Sequence, residues 1–423
     1  MVLWMNKRAV MGMGEVSINS ERLWRRLMAM GEIGATPGGG SHRLTLTDED
    51  EAGRQLFLGW CAERGYDVQY DQVGNLFVRR AGGSRNAQPL AIGSHLDTQP
   101  RGGRFDGILG VLAALEVLET LDDNGIETDM PVDIVVWTNE EGSRFQPAMM
   151  GSGVHCGVHS LEAVRSTLDD KGLSVGAELD RLGYSQGLIP GARSIGQYLE
   201  LHIEQGPVLE DAGTVIGAVT GGQAIRWYEL SLQGQETHAG PVPMTQRRDP
   251  MPALARVIEL VYQVGLQDEA ARATIGVLNA QPGSINVMPG RIDLTVDLRH
   301  PIETRLKEMD AAFRAGLDDL QAAERKIVIS LEEIWHSPVV LFDHTLTEAV
   351  RQSATGRGLP VQDVISGAGH DAFYMARAVP SALVFVPCRD GLSHNEAEYT
   401  SPEHAAAGAN VLLDVALRVA CGR

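Results

Sequence analysis

Residues 89–121 read PLAIGSHLDTQPRGGRFDGILGVLAALEVLETL, and the fold is decided in this stretch. Pro89 to Ser94 is a short apolar run of strand character, a glycine-punctuated turn follows, and Ile108 to Leu121 carries the apolar spacing of a helix. Strand, tight turn and returning helix are the repeating half of a βαβ unit. Asn75 to Arg79 and Val132 to Thr138 read as further strands on either side, so the alternation continues. Strands alternating with helices imply an α/β fold on a mixed, largely parallel sheet. Upstream, Thr47 and Asp50 have capping-box spacing ahead of Ala52, Leu56, Trp60 and Cys61, and Gly65 stands where that helix should stop.

The pattern changes between Gln223 and Trp335. Arg226 to Leu232 reads as a strand, Met251 to Val264 as a helix, and Ala273 to Asn279 and Arg291 to Leu298 as strands. Thr304 to Leu320 is a helix with Leu306, Met309, Phe313, Leu317 and Leu320 on one stripe, and Lys326 to Leu331 is a strand. The order β-α-β-β-α-β is that of the ferredoxin-like unit, which can fold as its own α+β domain. From Leu341 the α/β alternation resumes: a helix near Thr345 to Thr355, a strand Val361 to Ile365, a helix His370 to Ala376, a strand Ala382 to Val386 and a final helix Ser401 to Val419. The expected organisation is therefore one α/β domain in two pieces, residues 1–222 and 337–423, interrupted by an inserted domain at 223–336. Gly221-Gly222 ahead of the insertion is a candidate hinge.

Composition narrows the functional classes. The chain of 423 residues has 36 Lys and Arg against 55 Asp and Glu, a net charge of −19 that argues against binding a nucleic-acid backbone or an anionic membrane. No apolar run is long enough for a membrane span, and Met1 to Gly14, expected as a mobile tail, lacks the apolar region and cleavage site of a secretion signal. Cys61, Cys156, Cys388 and Cys421 are scattered and few, which fits a cytoplasmic chain without a disulfide framework. The 48 glycines exceed the roughly 7% of average usage, so close backbone approaches are expected.

The chemistry-bearing side chains collect at strand ends. Gly93-Ser94-His95-Leu96-Asp97-Thr98 closes a strand and Gly102-Gly103-Arg104-Phe105-Asp106-Gly107 opens the helix. Trp137-Thr138-Asn139-Glu140-Glu141-Gly142 ends another strand, His202 lies in the apolar run Leu199 to Ile203, and His394 follows the last strand in Leu392-Ser393-His394-Asn395-Glu396. Singly, such a histidine is more often a satisfied hydrogen-bonding residue, and paired glutamates are a solvated terminus. Together, beyond the carboxyl ends of strands in one α/β unit, imidazoles and carboxylates suit Zn, Mn, Co or Ni.

The ordered motifs GSHLDT, GGRFDG, NEEGSRF, HIEQGPVLE, THAGPVPM, INVMPG, DLRHP, GAGHDA and LSHNEAEY make the chain resemble the M20 peptidase/amidohydrolase family, in its N-carbamoyl-L-amino-acid hydrolase, β-ureidopropionase and allantoate amidohydrolase branch. The resemblance runs from about residue 20 to 420. It implies a metallopeptidase-like catalytic domain interrupted by a lid and dimerisation domain, and two divalent ions per subunit. His95, Asp106 and His202 would hold one ion, Asp106 would bridge, and Glu141 and His394 would complete the second. Asp97 would fix the ring of His95, and Glu140 would be the general base. His238 in Thr237-His238-Ala239-Gly240 would bond the carbonyl oxygen as charge develops, often in the neighbouring subunit's site. Asn286 and Arg299 would orient a substrate carboxylate, and Gln205 and the backbone at Gly367 would make the remaining substrate contacts. His155, His159 and His370 receive no role.

The implied reaction is hydrolysis of a linear C–N bond in a small ureido acid, an N-carbamoyl-L-amino acid or N-carbamoyl-β-alanine, to amino acid, CO2 and ammonia. The same catalytic set also serves allantoate hydrolysis and, more distantly, aminoacylases and peptidases; Thr98-Gln99-Pro100 leans toward the carbamoyl type. A catalytically silent relative would have lost Glu140 or a ligand, and every one of these positions is filled here.

Overall fold

The computed structural model describes residues 16–422 except Arg85, so the expected N-terminal tail lies outside the described residues. The chain divides into two compact units, residues 16–220 with 341–422, and residues 221–340.

The larger unit is built on a mixed sheet. Its strands run in the spatial order Asp67–Tyr70, Leu76–Arg80, Val132–Trp137, Leu90–His95, Gln197–Ile203, Ser381–Val386 and Ile216–Gly222, with Val361–Ser366 also paired to the last. The four central strands, from Val132–Trp137 to Ser381–Val386, are parallel, and those that flank them pair antiparallel. Central strands covered on both faces need continuous apolar sequence, and Leu90–His95 and Val132–Trp137 are buried at every position. His95 pairs with Trp137 and Phe385 with His202, so the carboxyl ends of all four parallel strands share one edge of the sheet.

The helix Ile108–Asp123 is buried from Ile108 to Leu121, including Glu116 and Glu119. Two charges in that position must be paired. Arg22 forks onto Glu116 at 2.7 Å and Arg26 onto Glu119 at 2.7 and 2.9 Å, which fixes the helix Ser20–Gly31 against it. The expected upstream helix is Asp48–Glu63: Thr47 accepts from the Asp50 amide as a cap, while Asp50 Oδ2 reaches the Leu46 amide rather than that of Thr47.

In the smaller unit, Leu278–Gln281, Arg291–His300, Ala224–Gln233 and Val328–Ser337 form an antiparallel sheet in that order, with Arg272–Thr274 also paired to Arg291–His300. The strand expected over Ala273 to Asn279 is thus two short strands. Between them Thr295 holds Val277 twice, its amide donating to the Val277 carbonyl at 3.1 Å and its Oγ1 accepting from the Val277 amide at 3.0 Å. Tyr228, Leu230, Leu232, Val296 and Leu298 pack with Val257 and Val261 of the helix Met251–Gly265 and with Leu306 and Phe313 of the helix Glu303–Ala323. Gly221 and Gly222 end the strand Ile216–Gly222 where the units divide. Among the described residues no helix is long and apolar enough to cross a membrane.

Candidate metal centre

Each strand end delivers its residue to the shared edge. His95 is the last residue of Leu90–His95, Asp106 lies in the turn before Ile108, Glu140 and Glu141 follow Trp137, His202 is the penultimate residue of Gln197–Ile203, and His394 lies in the loop after Val386. His95, Asp106 and His202 are buried, whereas the His394 side chain is 52% exposed.

Asp106 is the hub. Its Oδ1 lies 3.1 Å from His202 Nε2 and 3.5 Å from His95 Nε2, and its Oδ2 lies 3.4 Å from His394 Nε2. Glu141 Oε2 is 3.3 Å from the same His394 nitrogen, and Glu140 Oε2 is 3.5 Å from His95 Nε2. Two groups result, His95–Asp106–His202 and Asp106–Glu141–His394, each with its donor atoms within 4.8 Å of one another and sharing Asp106.

The rings are set by main chain. His95 Nδ1 donates to the Asp97 carbonyl and His202 Nδ1 to the Ile203 carbonyl, both at 2.9 Å, which turns each Nε2 toward Asp106. His202 Nε2 also accepts from the Gly107 amide at 3.1 Å, while His95 Nε2 is buried with no hydrogen-bond partner. An orphaned imidazole nitrogen beside crowded carboxylates fits a divalent cation. The electrostatics agree. Burial, with the Asp106 charge beside it, pushes Glu141 up to about 8. Burial also raises Glu140 well above the usual carboxylate range. Burial alone would raise Asp106, but the His202 and His95 imidazoles beside it hold it well below that range.

Asp97 acts through its carbonyl and both carboxylate oxygens. Its carbonyl holds the His95 ring, and its carboxylate accepts from the amides of Glu140 and Glu141 at 3.4 and 3.3 Å, so it sets the backbone of the glutamate pair. Gln205, expected as a substrate contact, donates to Asp106 Oδ2 at 2.8 Å. Gly367 is exposed in the loop between Val361–Ser366 and the helix Asp371–Ala378.

In the smaller unit, His238 and Asn286 come together: Thr237–His238 pairs with Val287–Met288, and the Ala239 amide donates to the Asn286 carbonyl at 2.9 Å. Both side chains are exposed. Arg299 lies on another strand, its guanidinium forked onto Asp297 at 2.6 and 3.0 Å.

Several residues of the larger unit received no site role from the motifs that contain them. Ser393 Oγ lies 2.8 Å from Asp106 Oδ2 and 2.9 Å from Glu398 Oε2, and Glu398 Oε1 accepts from the amides of Phe105 and Asp106. Gln99 donates to Glu141 Oε2 at 2.8 Å. Ser393 and Glu398 belong to LSHNEAEY and Gln99 directly follows GSHLDT, which is the sequence signal they carry. A third group, Glu200–His202–His370, shares His202, but protein donors already serve it: Glu200 accepts from Ser94, Tyr198 and the Ala372 amide, and His370 Nε2 meets Ser366 Oγ.

The sequence pattern of peptidase family M20/M25/M40 matches residues 91–418. An N-carbamoyl-L-amino-acid amidohydrolase of Rhizobium meliloti is 45% identical over 405 residues, covering 95% of this chain and 97% of that one. An N-carbamoyl-L-amino acid amidohydrolase of Geobacillus stearothermophilus is 36% identical over 409 residues, covering 96% and 100%. Among solved structures, an amidase of the hydantoinase/carbamoylase family from Burkholderia vietnamiensis matches with a TM-score of 0.91 at 48% identity, covering 97% of this chain and 99% of that one.

Proposed function

The chain belongs to peptidase family M20/M25/M40, and on that premise we propose that it hydrolyses the linear C–N bond of N-carbamoyl-L-amino acids to amino acid, CO2 and ammonia. The observation that carries this reading is the pair of donor groups joined through Asp106 beside the Glu140–Glu141 doublet. His95, Asp106 and His202 would hold one divalent ion, and Asp106, Glu141 and His394 a second, with Zn, Mn, Co and Ni all suited to these donors. Bound there, such ions supply Lewis acidity, polarising the scissile carbonyl and lowering the pKa of water toward ~7.

The protein supplies geometry and proton transfer. Glu140 takes the proton of the attacking water and delivers it to the leaving nitrogen. Asp97 holds both glutamate amides, so base and ligand keep their relative positions. In the smaller unit, His238 donates to the carbonyl oxygen as charge develops, and Asn286 and Arg299 hold the substrate carboxylate, the planar guanidinium bidentately. Gln205 and the Gly367 backbone complete the substrate contacts. The smaller unit serves as lid and dimerisation domain of a cytoplasmic homodimer.

The test is a substrate panel of N-carbamoyl-L-amino acids, N-carbamoyl-β-alanine and allantoate, each with Mn, Co, Ni and Zn. The carbamoyl-L-amino acids should give the highest kcat/KM, and turnover of allantoate alone would replace the proposal with the allantoate reaction. Glu140→Gln should lower kcat by at least about 10²-fold without changing metal content. Lost metal instead would mean that the two glutamates have exchanged roles.

A further inference from the structure

The two donor groups are supported differently. In the inner group, His95, Asp106 and His202 are each at most 4% exposed, and main-chain carbonyls pin both rings. Packing and backbone hold that geometry. The outer group is held differently: the His394 side chain is half exposed at φ 54°, and the Glu141 side chain, though buried, has no carbonyl pinning it, its amide alone being tied to Asp97. What fixes the carboxylate is Gln99, whose Nε2 donates to Oε2, the oxygen that faces His394.

Gln99 is itself well anchored. On its N-terminal side the Thr98 amide donates to the Arg43 carbonyl at 2.9 Å, and Thr98 Oγ1 accepts from the Arg43 amide at 2.8 Å. On the other side the Gly102 amide donates to the Gln99 carbonyl at 3.1 Å. Arg43 is buried, and its guanidinium donates to the carbonyls of Leu96, Met30 and Ile33. The amide that reaches Glu141 therefore projects from a loop clamped to the core, and a carboxylate held by such a donor loses less freedom when it takes a cation.

We infer that Gln99 is a positioning residue for the outer half of the site: by holding the Glu141 carboxylate it sets the affinity of the Asp106–Glu141–His394 group for its divalent ion and leaves the inner group untouched. This rests on the two-ion reading above. The side chain fits the task because its length brings a donor without charge to the ligand oxygen. A charged donor there would neutralise the carboxylate and compete with the ion.

The test titrates metal-free protein with Zn against a chromophoric chelator and resolves two dissociation constants, for the unaltered chain and for Gln99→Met, which keeps the length and removes the donor. Gln99→Ala, run alongside, separates the lost donor from crowding by the thioether. Both variants should weaken the outer site about 10- to 100-fold, keep the inner constant within about threefold, and leave the metal-free melting temperature unchanged. An unchanged outer constant, or equal weakening of both sites, would overturn the role of Gln99. Uptake of fewer than two ions by the unaltered chain would instead sink the two-ion reading.

Discussion

At the scale of single residues the site shows what glycine does where nothing else fits. Gly107 has φ 72°, and a Cβ there would stand 2.3 Å from His95 Nε2. Gly125 has φ 60° with nothing within 4 Å of its would-be Cβ. The two share a backbone conformation that disfavours L side chains and differ in surroundings. Gly125→Ala should thus cost only the strain of a left-handed residue, about 1–2 kcal/mol. Gly107→Ala should cost more in chemical denaturation and abolish metal uptake at the inner group, because the imidazole has to move. Equal costs with metal binding retained would show that the His95 ring is not held against Gly107. The residues that sequence reading singles out are those whose chemistry is local, such as His95, the Glu140–Glu141 pair and His394 in its motif. Ser393 and Glu398 lie within LSHNEAEY, but their contacts to Asp106 and Phe105 span 287 and 293 positions, and spacing carries no information about such pairs.

At the scale of elements, the alternation of strand and helix was legible because apolar periods are strong in Leu90–His95, Ile108–Asp123 and Val132–Trp137. The helix Met150–His155 was not. With two glycines in six residues it has little intrinsic helix propensity, and long-range contacts place it. Its leading edge holds the glutamate pair: the amides of Met149, Met150 and Gly151 donate to the carbonyls of Glu140, Asn139 and Thr138 at 2.7, 3.1 and 2.8 Å. Its last residue, His155, packs its ring against Trp137 and Phe77 at 5.3 and 5.8 Å, with Nδ1 buried and unbonded. Burial pushes this imidazole down to about 4 from its ordinary 6.5. A depressed histidine stabilises the fold above pH 6.5, and that contribution disappears as pH falls through 4, because the unfolded chain takes up the proton first. The melting temperature of metal-free protein should therefore fall between pH 6.5 and 4, with His155 responsible for up to roughly 3 kcal/mol of stability. His155→Phe should flatten that part of the profile; an unchanged slope would show that other groups carry it.

At the scale of the whole molecule, the parallel arrangement of four strands turns positions scattered from His95 to His394 into one cluster, because parallel strands put all their carboxyl ends at the same edge. The net charge of −19 argues against polyanionic partners but describes the site poorly. Locally the acidity is itself functional, since crowded buried carboxylates repel one another and a divalent ion relieves them. Sequence reading placed the inserted β-α-β-β-α-β segment from its change of pattern. It could not foresee which short strands would pair, because the ribbon of Thr237–His238 with Val287–Met288 depends on a register that two residues cannot announce. The central claim is that this convergence holds two ions that share Asp106. Anomalous diffraction from crystals of the Zn-loaded protein, collected at the metal edge, tests it most directly. Two peaks per chain are expected, one about 2.0–2.2 Å from His95 Nε2 and His202 Nε2 and the other at the same range from His394 Nε2 and a Glu141 oxygen, with Asp106 between them. A single peak, or peaks away from Asp106, would contradict it.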